Sequence, residues 1–131
     1  MGKVARMNQA QKLADEGRLV IFDFSAPACA VMKEQKVRDA VSMAIVTVVQ
    51  AEYPQGLGRQ DGQVWAAWQE VLLMEPDGKV EVTRKQVTWL RAIFAKDDLK
   101  VPAGLAQSRE AVLDYLEELL TTPEDGKKSN A

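Results

Sequence analysis

One stretch constrains the fold of this chain more than any other: Arg18 to Lys33, with the sequence RLVIFDFSAPACAVMK. Leu19 to Phe24 is an almost unbroken apolar run, which is typical of a strand covered on both faces inside a parallel sheet. Ser25-Ala26-Pro27 ends the strand, because proline lacks an N–H donor and suits the first turn of a helix. From Ala28 to Ala44 the apolar residues recur at helical spacing, so the stretch predicts a strand, a turn and a helix.

Three later segments predict the rest of a sheet. Ile45 to Val49, IVTVV, is a β-branched run that predicts a second strand, parallel to the first and joined by a right-handed crossover. Val71 to Met74 predicts a third strand, and Glu75-Pro76-Asp77-Gly78 a tight turn into a fourth, Lys79 to Thr83. We therefore expect an α/β fold with a central mixed sheet of about four strands, a βαβ unit followed by a ββα unit, flanked by helices.

Helical spacing predicts the elements around this sheet. Residues from Met7 to Glu16, with apolar Met7, Ala10, Leu13 and Ala14, predict a short amphipathic helix that runs into the first strand. Asp61 is a candidate cap for a short helix through Gln69. Val87 to Ala95 predicts a further helix, although its TW and IF pairs are also compatible with a strand. After a connection, Ser108 is a candidate N-cap for a final helix whose inner side carries Val112, Leu113, Leu116, Leu119 and Leu120.

Length and composition limit the class of protein. A chain of 131 residues suits one domain, expected over residues 1–121, with a disordered tail over residues 122–131. The net charge of −2 lacks the basic footprint of a nucleic-acid binder. No apolar run reaches the roughly 18 to 20 residues that span a bilayer, and the start of the chain lacks a secretory signal. We expect a cytoplasmic protein that binds neither nucleic acid nor membrane.

One cysteine and no histidine narrow the chemistry further. They exclude an internal disulfide, a Ser-His-Asp or Cys-His catalytic unit, and an ordinary zinc site built from cysteine and histidine. Histidine, the usual general base of common enzyme mechanisms, is therefore not available. We expect no metal ion and no cofactor.

The order of predicted elements, with Cys29 at the first strand–helix junction, resembles the thioredoxin fold. LADEGRLVIFDFSAPACAVMK is similar to the pattern A-x-x-x-G-K-P-V-L-V-D-F-x-A-x-W-C-x-x-C-K of thioredoxin-like domains of the thiol-disulfide interchange kind. EPDGKVEV resembles the family's hairpin turn, and REAVLDYLEELL resembles its closing helix. The resemblance covers most of the chain and is strongest from Gln9 to Lys36.

Two candidate site residues match the family's pattern. The resemblance places Cys29 at the nucleophilic cysteine and Asp23 at the buried carboxylate that moves protons during exchange. At the first turn of a helix, Cys29 would feel the positive end of the dipole, which favours the thiolate. The alternative is that Cys29 is a small apolar residue at a helix start, and that Asp23 is a structural carboxylate paired with a lysine such as Lys33.

Other positions depart from the family's pattern. Met32 stands where the resolving cysteine would be, and Ala28 stands where a tryptophan usually precedes the nucleophile. Gln69 or Glu70 falls where the family has a cis-proline before its third strand. A thioether cannot resolve a mixed disulfide, so two-cysteine redox cycling is not expected.

These features support two hypotheses about function. The first is a non-catalytic protein-binding adaptor, a regulatory or assembly module, with Ala28, Trp65, Trp68, Gln69 and Glu70 as candidate partner-binding residues. The second is a monothiol disulfide oxidoreductase or redox sensor that uses Cys29 alone and an outside thiol such as glutathione. Trp65 and Trp68 could equally pack in the core. A reductant-sensitive homodimer through Cys29 is a further expectation under oxidising conditions.

Overall fold

The computed structural model of the chain describes residues 17–121. The helix predicted from Met7 to Glu16 and the tail predicted over residues 122–131 lie outside the described residues. The elements follow the order β1 (Leu19–Asp23), α1 (Val37–Glu52), α2 (Arg59–Leu73), β2 (Lys79–Thr83), α3 (Arg84–Phe94), a 3-10 turn (Ala103–Leu105) and α4 (Ala106–Thr121). The described part is therefore mostly helical, with one pair of strands.

The two strands form a single antiparallel ladder. The register places Phe22 opposite Val80 and Ile21 opposite Glu81. Phe22 is fully buried, whereas Leu19 and Ile21 on the outer face are 58% and 47% exposed. The prediction of a four-stranded mixed sheet is therefore wrong, as is the prediction that the first strand is parallel to its neighbour and covered on both faces. The strand predicted from Lys79 to Thr83 is confirmed, but its partner is β1.

The β-branched run from Ile45 to Val49 lies inside α1 and is not a strand. The intrinsic propensity of β-branched residues favours a strand, but burial of side chains at helical spacing overrides that propensity. The positions of α1 that are almost completely buried recur every three or four residues and are Val41, Ala44, Ile45, Val48 and Val49. One continuous helix therefore replaces the predicted βαβ unit, because it buries this stripe against the core.

The segment predicted as a third strand, Val71 to Met74, forms the end of α2 and the residue after it. Val71 is buried, but Leu73 is 82% exposed. The predicted hairpin is therefore wrong, and residues 75–78 connect α2 to β2. The helix also begins two residues before Asp61, after Gly58, so Asp61 is not its N-cap. The Asp61 carboxylate instead accepts a hydrogen bond of 2.9 Å from the indole N–H of Trp89.

The helix predicted to begin at Ala28 begins only at Val37. Residues 24–36 form an irregular loop that opens with a turn, in which the Ala26 N–H donates to the Asp23 carbonyl at 3.0 Å. Burial explains the difference, because Ala28, Ala30 and Met32 all lie exposed. The segment therefore buries no continuous apolar stripe against the core, and most helical stability comes from such burial.

The last two helices are confirmed. A capping box starts α3, in which the Gln86 N–H donates to the Thr83 hydroxyl at 3.1 Å. Val112 and Leu116 of α4 are fully buried, as the aliphatic pattern predicts. Ser108 is not an N-cap, since α4 begins at Ala106 and Ser108 lies buried within it. None of the helices within residues 17–121 is long and apolar enough to cross a membrane.

Candidate functional site

Cys29 lies in the irregular loop between β1 and α1 rather than in the first turn of a helix. The dipole that would stabilise its thiolate is therefore not beside it. The side chain is partly buried against the core. Burial raises the pKa of the Cys29 thiol, and a hydrogen-bonding interaction with the Ser108 hydroxyl lowers it by less. The thiol is thus predominantly protonated at neutral pH.

The pH dependence of alkylation tests this description of Cys29. With iodoacetamide, we expect the rate to reach half of its maximum at a pH above the pKa of a free cysteine, which is about 8.5. Because Ser108 lowers the pKa, Ser108→Ala should move the midpoint to still higher pH. The midpoint is measured by mass spectrometry of timed samples. A midpoint below that of a free cysteine would show an activated thiol and contradict this description.

Asp23 ends β1 through a local turn. Its Oδ1 atom accepts hydrogen bonds from the Ser25 hydroxyl at 2.6 Å and from the Ser25 N–H at 2.9 Å. These bonds lower the pKa of the Asp23 carboxyl, with a smaller contribution from Lys79 across the ladder rather than from Lys33. The main-chain N–H of Asp23 donates to the Tyr115 hydroxyl at 2.8 Å. The carboxylate is not buried, which corrects that part of the prediction, and it has the partners of a structural turn.

The loop and α4 enclose a cleft of about 770 Å³ that contains Cys29, called here the Cys29 cleft. Residues 26–30 of the loop form one wall, and α4 between Ala106 and Glu118 forms the other. Three carboxylates line the α4 wall: Glu110, Asp114 and Glu118. The exposed Ala28 lies in this cleft. Neither Asp23 nor Met32 lines it.

Met32 lies in a second cleft, of about 870 Å³, which shares Ala30 with the Cys29 cleft. This cleft lies between the loop and α1 and is lined by apolar side chains that include Val31, Met32, Ala40, Met43 and Leu105. Met32 is 80% exposed and Met43 is 50% exposed. The structure therefore separates two predicted site residues, Cys29 and Met32, into different clefts.

A third cleft, of about 360 Å³, lies between α1 and α2. Its lining is Val46, Gln50, Trp65, Gln69, Leu72 and Leu73. Trp65 is half-buried and packs its ring against Trp89 with the centroids 6.3 Å apart. Two predicted partner-binding residues, Trp65 and Gln69, thus line one cleft.

The second and third clefts lie along neighbouring turns of α1. Met43 lines one cleft and Val46 the other, and residues three apart on a helix are neighbours on its surface. An apolar surface therefore crosses the outer side of α1. We call it the α1 surface, and its members are Val31, Met32, Met43, Val46, Trp65, Leu72 and Leu73.

The remaining predicted partner-binding residues have different positions. Glu70 is exposed beside Gln69 on α2. Trp68 is fully buried, and its indole N–H donates to the Gln86 carbonyl at 3.1 Å, so it packs in the core. Sequence reasoning missed Met43, Val46 and Leu73, because it assigned the last two to covered strands. The run Leu72-Leu73-Met74 was an available signal, since three consecutive residues of a helix cannot all face inward.

Comparison with known protein families, with curated proteins and with solved structures found no match. The resemblance to the thioredoxin-like family therefore remains a prediction that these comparisons do not test, while the sheet it implied is wrong. Within residues 17–121, no group of three or more cysteine, aspartate or glutamate side chains is placed to hold a metal ion.

Proposed function

We propose that this protein is a protein-binding module, an adaptor or assembly factor, that docks a partner on the α1 surface. The observation that carries the proposal is the position of two apolar clefts on neighbouring turns of α1, with Met43 lining one and Val46 the other. Single exposed apolar side chains are ordinary, but contiguous apolar patches rimmed by polar residues are typical of interaction sites. The α1 surface is of the second kind.

The side chains of the α1 surface suit a protein partner. Met32 and Met43 are unbranched and polarisable, so they adapt to the shape of an apolar partner at low cost. Trp65, held against Trp89, offers a rigid aromatic anchor of the type that dominates binding energy. Gln50 and Gln69 line the third cleft and provide amide donors and acceptors for a partner's backbone.

Monothiol chemistry at Cys29 remains a prediction with weaker support. An attacking thiol needs thiolate character, and burial raises the pKa of Cys29 instead. Asp23, the proposed proton carrier, is bonded to Ser25 and does not line the Cys29 cleft. No feature of the described residues favours catalysis over binding.

Charged substitutions on the α1 surface test the proposal. We expect Met43→Glu and Leu73→Glu each to weaken partner binding by roughly thirtyfold, because a buried apolar contact of about 2 kcal/mol is replaced by an unpaired carboxylate. Binding is measured by affinity capture from cells that express the protein, followed by titration with the purified partner.

Leu19→Glu is the matched control for this experiment. Leu19 is 58% exposed, between Met43 at 50% and Leu73 at 82%, so the variant places the same charge at an accessible apolar position outside the α1 surface. It should bind the partner as the wild type does. Loss of binding by Leu19→Glu alone, or retention by both α1-surface variants, would contradict the proposal, as would a wild type that retains no specific protein.

A further inference from the structure

Two methionines of the α1 surface share one cleft. Met32 of the loop and Met43 of α1 both line the second cleft, and both side chains are exposed. Met74 is the third methionine within residues 17–121 and is 67% exposed, but it lines none of the three clefts described above. A small oxidant dissolved in water therefore reaches both thioethers of the second cleft without any opening of the fold.

Oxidation changes the character of a methionine side chain from apolar to polar. In the reaction with hydrogen peroxide, a lone pair of the sulfur attacks one peroxide oxygen and the O–O bond breaks. The side chain gains that oxygen as a sulfoxide and loses two electrons, while the peroxide is reduced to water. The thioether needs no deprotonation, whereas oxidation of the Cys29 thiol proceeds through its thiolate.

We propose that Met32 and Met43 are oxidation sites, and that conversion of their thioethers to sulfoxides by a peroxide releases the partner from the α1 surface. This inference rests on the proposed function, because it assigns a regulation to the same surface. Docking removes the two thioethers from water, which is favourable while they are apolar. A sulfoxide oxygen in the same contact loses its hydrogen bonds to water and finds no donor on an apolar partner. Reduction of the sulfoxides by methionine sulfoxide reductases restores docking.

The fold tolerates this oxidation. Neither Met32 nor Met43 belongs to the hydrophobic core or packs against it, so water solvates their sulfoxides while the α1 surface is free. A sulfoxide inside a core would instead disrupt the packing. Oxidation therefore lowers the affinity for the partner and leaves the free energy of unfolding nearly unchanged, which distinguishes a switch from general oxidative damage. Urea unfolding of the oxidised and the reduced protein measures this difference, and a large loss of stability on oxidation would overturn the proposal.

The rate of sulfoxide formation is the first readout, and it needs no partner. The full chain is treated with hydrogen peroxide, and the sulfoxides are mapped by peptide mass spectrometry of timed samples. We expect Met32 and Met43 each to oxidise within about fivefold of the rate of Met74, the exposed methionine outside the clefts. Rates on the order of a hundredfold below that of Met74 would overturn the proposal, because the thioethers would then be shielded from the oxidant.

Partner affinity is the second readout. The protein alone is oxidised, catalase removes the peroxide, and the purified partner captured by the wild type is then added. We expect oxidation to weaken binding roughly tenfold to hundredfold, and reduction by the two methionine sulfoxide reductases to restore it. Met32→Leu with Met43→Leu keeps an apolar surface without thioethers and should bind with or without peroxide. This variant retains Cys29 and Met74, so it controls for oxidation elsewhere in the chain.

Polar substitutions test the same step without an oxidant. Met32→Gln with Met43→Gln should weaken binding, whereas Met74→Gln, the matched control, should not. An oxidised wild type that binds as tightly as the reduced protein, or a double leucine variant that loses binding on oxidation, would overturn this inference and leave the proposed function standing. A reduced wild type that retains no specific protein would overturn the proposed function, and this inference with it.

Discussion

Trp68→Ala is expected to lower the free energy of unfolding by about 3–5 kcal/mol, the usual cost of removing a large aromatic side chain from a core. Trp68 is fully buried, and its ring meets Phe22 edge-on with the centroids 5.5 Å apart. Its indole N–H also donates to the Gln86 carbonyl. Alanine leaves a cavity at the contact between α2 and α3 and removes this hydrogen bond. Urea unfolding monitored by circular dichroism measures the change.

Two variants separate the parts of this effect. Trp68→Phe keeps most of the ring but removes the donor, so we expect a loss of about 1 kcal/mol for the hydrogen bond to the Gln86 carbonyl, plus a smaller packing loss. Trp65→Ala is the matched control, because Trp65 is a half-buried tryptophan on the same helix and should cost less. An equal or smaller loss for Trp68→Ala than for Trp65→Ala would contradict the described core.

Arg109→Met is expected to lower the free energy of unfolding by about 2–4 kcal/mol. Each hydrogen bond from a charged donor contributes about 1.5–3 kcal/mol, but water bonds to some of the released carbonyls and reduces the total loss. The Arg109 guanidinium donates to three main-chain carbonyls: Phe94 at 3.1 Å, Leu99 at 2.7 Å, and Lys96. It thus ties the end of α3 and the following connection to α4. Methionine keeps the apolar stem and removes every donor.

Lysine and a second arginine serve as controls for Arg109. Lys cannot reproduce the planar fork, so Arg109→Lys should recover less than half of the loss. Arg91→Met removes a partly exposed ion pair in which Arg91 Nη2 lies 2.8 Å from Glu117 Oε2. It should lower the free energy of unfolding by less than about 1 kcal/mol. Both are measured by the same urea titration. Equal losses for the Arg91 and Arg109 variants would contradict the role given to the three carbonyls.

Local signals predicted those parts of the fold in which pattern and burial agree. β2 alternates valine with polar residues and is a strand, and α3 and α4 carry apolar residues at helical spacing. The run from Ile45 to Val49 gave a wrong strand prediction, because the strand propensity of β-branched residues is weak compared with the burial of an apolar helical stripe. That single misassignment turned one long helix into a crossover and made a parallel sheet seem necessary.

The candidate site was predictable only in part. Trp65 and Gln69 line the third cleft, although the reason given for Gln69 came from a family position rather than from its place on α2. The exposure of Met43 could not be predicted from the sequence, because it depends on which side of α1 the other helices leave uncovered. Cys29 is partly buried, in a loop whose path no local sequence pattern shows, so its environment could not be predicted.

The most direct test of the α1 surface is site-specific photocrosslinking in cells that express the protein. A photoreactive amino acid at Met43 is compared with the same group at Thr88, an exposed position on α3. We predict one discrete crosslinked product from Met43 that is absent from Thr88 and is lost when Leu73→Glu is added. Equal crosslinking from the two positions, or a Met43 product that persists with Leu73→Glu, would contradict the claim that a partner docks on the α1 surface.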